Sequence, residues 1–153
     1  MSKIQVVFVG DKGVGKTSFI KKIETNLHNP EYIPTKDIYK CTVNFQSNYG
    51  NFIFKIVEVS NLEYVYADVV ILCIDLSRSD FTKYVNKWNS LIKDQFDSKT
   101  PVFYCGMKSD INKNIISKLH FVCSSKNTCK SELKELFRLI AKKLTSSPGL
   151  VFF

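Results

Sequence analysis

The clearest chemistry in this chain sits at positions 10–17, which read GDKGVGKT. They satisfy the pattern G-x-x-x-x-G-K-[ST] directly behind an apolar run at 4–9 and ahead of a helical pattern. The context matters, because the same spelling in an arbitrary turn would say little. Gly13 and Gly15 let the backbone curl until its N–H groups converge, an arrangement suited to phosphate oxygens. A helix beginning near Lys16 adds the partial positive charge of its first turn. Lys16 supplies a point charge for the outer phosphates of a nucleotide, and the Thr17 hydroxyl is a hard oxygen ligand for Mg²⁺. The candidate phosphate contacts are therefore Asp11, Lys12, Gly13, Val14, Gly15, Lys16, Thr17 and Ser18.

Such a loop has to be held by a strand before it and a helix after it. The run at 4–9 reads as a strand buried on both faces, and Phe19, Ile20, Ile23 and Leu27 fall on one face of the following helix. Beyond a polar, proline-bearing connection, YKCTVNFQ, NYGN and FIFKIVEV predict an antiparallel hairpin. VVILCID is a fully apolar strand. From about 80 to 96, Phe81, Tyr84, Val85, Trp88, Leu91 and Ile92 recur at helical spacing, which predicts Trp88 to be a core residue. PVFYCGM and HFVCS follow as strands. SELKELFRLIAKKL closes the pattern as a helix with Leu133, Leu136, Phe137, Ile140 and Leu144 inward. Strands alternating with helices predict a layered α/β fold with ligands at the carboxyl ends of the strands. One domain is expected over 1–145, with a short tail at 146–153.

Those motifs, taken in order, resemble the Ras superfamily of small GTPases, most closely its Ran branch. The likeness runs through VVFVGDKGVGKTSFIKK, EYIPT, VVILCIDLSRSDFTKYVNKW, VFYCGMKSD and CSSK. It implies a G domain: a six-stranded, mostly parallel sheet with an antiparallel edge hairpin, flanked by helices. It also implies GTP or GDP with Mg²⁺ as ligands, and effectors or regulators engaged through switch I. By the same resemblance, Thr35 is the switch I threonine that closes on Mg²⁺ and the γ-phosphate. Asp110 would read the guanine N1–H and amino group, Lys108 would lie along the purine, and Ser124, Ser125 and Lys126 would cap the base.

The departures from the family pattern are specific. N-K-x-D becomes Met107-Lys108-Ser109-Asp110, and methionine cannot form the asparagine's hydrogen bonds, so weaker guanine affinity is expected. D-T-A-G-Q-E becomes Glu58-Val59-Ser60-Asn61-Leu62-Glu63. Glu58 keeps the charge that holds Mg²⁺ through a water and adds a methylene. Asn61 replaces the glycine that senses the γ-phosphate, and Leu62 has no group with which to orient an attacking water. Lys12 stands where close relatives have glycine and would crowd the same space. Only YVYAD lies between Glu63 and the next strand, so the switch II helix is expected to be shortened or lost; INKNIISKL is short as well.

Composition restricts the alternatives. No apolar stretch approaches the ~18 residues a membrane helix needs. The start MSKIQVV enters a strand pattern without a leader, and the end LVFF offers no lipid-acceptor cysteine. A formal charge of +8 could attract nucleic acid or an acidic surface. The basic residues, however, are lysines spread along the chain apart from Arg78 and Arg138, which reads as a solvated surface. Cys41, Cys73, Cys105, Cys123 and Cys129 form no CxxC pair and suit reduced thiols in an intracellular setting, cytoplasmic or nuclear. The expectation is a monomeric guanine-nucleotide-binding protein whose hydrolysis is weak or absent. The competing expectation is a nucleotide-independent pseudo-GTPase that engages partners of Ran-like or Ras-like proteins.

Overall fold

The computed structural model describes residues 2–27, 38–59, 66–77, 79–107, 121–122 and 130–146. Six strands and three helices follow in the order β1 (Ser2–Val9), α1 (Lys16–Leu27), β2 (Ile38–Ser47), β3 (Gly50–Val59), β4 (Val69–Asp75), α2 (Phe81–Gln95), β5 (Val102–Met107), β6 (Phe121–Val122) and α3 (Lys130–Ser146). One sheet contains all six strands in the order β2-β3-β1-β4-β5-β6. The β2–β3 hairpin is antiparallel, and every other pairing is parallel. This is the mixed α/β architecture with an antiparallel edge that the alternating pattern predicts.

At β1 and β4 both faces of the sheet are covered, which explains why these strands are largely apolar runs. Successive side chains point to opposite faces. Ile4, Val6 and Phe8 of β1 join Val69, Ile71 and Cys73 of β4 in a cluster with Phe19, Ile20 and Ile23 of α1. Leu133, Leu136, Phe137, Ile140 and Leu144 of α3 complete it. Val7, Val9, Val70, Leu72 and Ile74 face the other way, onto Tyr84 and Ile92 of α2. A tight aromatic group, with Phe54 and Phe137 ring centroids 5.1 Å apart, locks α3 onto the hairpin.

Helix α2 corrects one expectation. Of the six apolar residues at helical spacing only Tyr84 and Ile92 are buried, while Phe81, Val85 and Trp88 are half-buried and Leu91 is 40% exposed. Among the described residues α2 is the one helix on its face of the sheet, so its flanks have no neighbouring helix to cover them. The predicted inward positions of α1 and α3 are buried wherever their side chains are described; Leu27 lies outside that set. Nine residues separate β3 from β4. The expected loss of the switch II helix falls mostly on 60–65, outside the described residues; 66–68, at the end of that connection, are not helical.

Cys73 and Cys105 are buried thiols, as their apolar strands predict, and Cys41 is a buried thiol as well. Burial, and secondarily the Glu24 carboxylate, pushes the Cys41 thiol up to about 12. A thiol ionising later in the folded than in the unfolded chain leaves stability unaffected below about pH 9. It then removes stability progressively towards pH 12, because the unfolded chain binds fewer protons in that window. Iodoacetamide at pH 8 is accordingly expected to leave Cys41 unmodified in native protein and to label it in urea. Peptide mapping that finds native Cys41 alkylated as fast as the denatured thiol would contradict this burial.

Candidate phosphate-binding site

The parallel pairings bring the carboxyl ends of β1, β3, β4 and β5 to one edge of the sheet, where Phe8 pairs with Glu58 and Asp75 with Met107. The phosphate loop leaves β1 at this edge. Gly10, Gly13 and Gly15 have φ of 148°, 84° and 108°, values side chains rarely tolerate. A Cβ on Gly13 or Gly15 would meet nothing within 4 Å, so these two glycines border open space. The N–H of Val14 donates to the Asp11 carbonyl at 3.2 Å, and the Phe19 N–H donates to the Gly15 carbonyl at 3.0 Å, starting α1.

Lys16 is the one charged side chain that is buried among the described residues. Its ammonium donates to the Gly10 carbonyl at 2.6 Å and the Asp11 carbonyl at 3.1 Å. Both partners are dipoles within the loop itself, and no described carboxylate lies within ion-pair distance. A buried cation held only by carbonyls retains most of its unbalanced charge, which an anion in the loop would neutralise. The donor chemistry, the open glycine turn and the orientation of α1 therefore fit a polyphosphate.

Glu58 faces the same side of the sheet as Phe54 and Ile56, the side that α1 covers. Thr17 is in the first turn of α1. The Thr17 hydroxyl lies 2.7 and 2.6 Å from the two Glu58 carboxylate oxygens and donates to one at a time. The extra methylene of Glu58 thus does not prevent its reaching the threonine. A hydroxyl and a carboxylate side by side are hard oxygen donors of the kind Mg²⁺ takes, so these residues fit that ion as well. Lys12 is exposed beside Gly13.

Asp11 is engaged from the other side. Its N–H donates to the Tyr84 hydroxyl at 3.0 Å, and its Oδ1 accepts from the Trp88 indole N–H at 3.0 Å. Periodicity alone placed Trp88 in the core and missed this polar end. The signal available was a tyrosine and a tryptophan four residues apart on one helix, each with a polar tip that needs a partner when buried. Met107, at the end of β5, is 5% exposed and belongs to the same apolar cluster as Val14 of the loop. Its carbonyl accepts the Leu76 N–H at 3.0 Å. Thr35, Asn61, Leu62, Lys108, Asp110, Ser124, Ser125 and Lys126 lie outside the described residues.

A protein-family model described as the Ras family matches residues 5–145. The chain belongs to the Ras family. The match spans the phosphate loop, five whole strands, most of β1 and most of α3. This Ras-family chain is thereby a small-GTPase-like nucleotide-binding protein, and guanine nucleotide is the ligand its domain implies.

Proposed function

We propose that this protein binds GTP and GDP with Mg²⁺ as a Ran-like member of its family, and that it hydrolyses GTP weakly or not at all unaided. The observation that carries the binding half is the buried Lys16 ammonium, held on the Gly10 and Asp11 carbonyls at the mouth of the glycine turn. Lys16 would hold the outer phosphates, the loop N–H groups would orient them, and Thr17 would bind the metal directly with Glu58 behind it. When bound, Mg²⁺ supplies charge neutralisation across the β- and γ-phosphates. The catalytic half rests on sequence: leucine at position 62 can neither donate to nor accept from a water, and Asn61 replaces a glycine. A protein built this way would stay loaded and engage effectors through switch I around Thr35.

Single-turnover release of γ-phosphate from GTP-loaded protein tests the hydrolysis claim. Release is expected at least about tenfold slower than from a family member with glutamine at that position. Leu62→Gln alone is expected to restore little, because Asn61 and Lys12 remain. Turnover equal to that of an ordinary small GTPase would overturn the claim.

A second reading, a pseudo-GTPase that engages partners without nucleotide, is favoured by Met107. An apolar side chain buried at the first position of the base-reading motif supplies none of the amide's hydrogen bonds. Mass spectrometry of nucleotide released from freshly purified protein separates the readings. Stoichiometric guanine nucleotide supports the first. Empty protein that gives no heat with GTP, GDP or ATP in the presence of Mg²⁺ supports the second.

A further inference from the structure

Helix α2 meets the phosphate loop through a set of side chains that the binding chemistry does not use. Tyr84, Lys87 and Trp88 share one face of the helix, and all three converge on Asp11, more than seventy positions earlier in the chain. The Tyr84 hydroxyl accepts the Asp11 N–H at 3.0 Å and donates to the Cys73 carbonyl at 2.8 Å. It therefore bridges the loop to the middle of the sheet. The Trp88 indole N–H donates to Asp11 Oδ1 at 3.0 Å, and the Lys87 ammonium approaches the same oxygen at 3.5 Å while lying 5.9 Å from the centre of the Trp88 ring. The Asp11 carbonyl faces inward and accepts from Lys16 and from the Val14 N–H. Asp11 is thus held at its amide, its carbonyl and its carboxylate at once.

A phosphate cradle works only when its N–H groups point inward before the ligand arrives. Ordering a free backbone residue costs about 1–2 kcal/mol, so a loop that stays curled without ligand binds more tightly than one that must be ordered. Gly13 and Gly15, which allow the curl, also make the loop floppy. Lys16 and the Val14 N–H restrain the loop from within, and α2 restrains its first turn from outside.

We infer that Tyr84 and Trp88 are positioning residues for the phosphate loop, holding Asp11 so that the cradle stays formed without nucleotide. The inference rests on the reading that the loop binds guanine nucleotide. Its effect is on residence time: an unbraced loop opens and lets go sooner, while capture from solution changes less.

Dissociation of a fluorescent GDP analogue, chased with excess GDP in Mg²⁺ buffer, tests this on three variants. Tyr84→Phe keeps the ring and removes the hydroxyl, and Trp88→Phe removes the indole N–H. Each is expected to speed dissociation by about tenfold, the equivalent of one well-placed hydrogen bond. Asp11→Ala, at a part-exposed position where folding is least at risk, is expected to do at least as much. Thermal unfolding of nucleotide-free protein provides the comparison: a purely structural role would lower the melting temperature and leave dissociation unchanged. Dissociation within twofold of wild type for Tyr84→Phe, Trp88→Phe and Asp11→Ala overturns the inference while leaving nucleotide binding intact. Wild-type protein that never takes up the analogue overturns the binding reading, and this inference with it.

Discussion

Lys16→Met is expected to weaken binding of GDP and GTP by about a hundredfold or more while the protein stays folded. Methionine has nearly the length of the lysine stem, so the packing under α1 is retained and only the ammonium is lost. In the protein without ligand that ammonium serves the Gly10 and Asp11 carbonyls. The Asp11 carbonyl keeps the Val14 N–H as a donor, so one acceptor loses its partner, at a cost of about 1 kcal/mol. With nucleotide bound the same ammonium would meet a phosphate in a buried setting. Charge-assisted bonds there are worth about 1.5–3 kcal/mol each, and two of them account for a hundredfold. Titration calorimetry with GDP, set beside a thermal melt, reads both quantities. Unchanged affinity in a folded Lys16→Met protein would mean that this lysine does not hold phosphate.

Gly10→Ala is expected to be the most damaging single-methyl change in the loop. A Cβ there would sit 2.8 Å from the Cys73 carbonyl oxygen, 3.0 Å from the Tyr84 hydroxyl and 3.3 Å from a Val14 methyl, at a φ of +148°. The carbonyl belongs to the centre of β4 and cannot move aside. Steric overlap and backbone strain each cost about 1–3 kcal/mol, so a loss of roughly 2–6 kcal/mol follows, or about 4–24 °C of melting temperature for a domain of this size. Gly13→Ala is the control. It carries a φ of +84° with no atom within 4 Å, so it bears the strain without the clash and should fall by less. A Gly10→Ala protein melting at or above the Gly13→Ala protein would show that the close approach of loop, β4 and α2 is not as tight as described.

These expectations draw on two kinds of information, and the contrast runs through the whole molecule. The strands and helices were legible because burial on both faces makes β1 and β4 largely apolar runs, while α1 and α3 carry broad stripes at helical spacing. The phosphate loop was legible because its chemistry lies within eight consecutive residues. Helix α2 was misread in part: its stripe is as broad as that of α3, yet Leu91 is exposed and Trp88 only half-buried. Periodicity reports which side of a helix is apolar and is silent on how many neighbours come to cover it.

The spacing of glycines, lysine and threonine at 10–17, the order of strands and helices, and the replacements at 58, 61, 62 and 107 were determined by the sequence alone, since each is a property of neighbouring positions. Tertiary structure decided what surrounds the loop. It carried the Glu58 carboxylate to Thr17 across 41 positions and the Trp88 indole to Asp11 across 77. Parallel strand pairing gathers the strand ends at one edge, and hydrogen bonds form between groups that folding brings within 3 Å, whatever their distance along the chain.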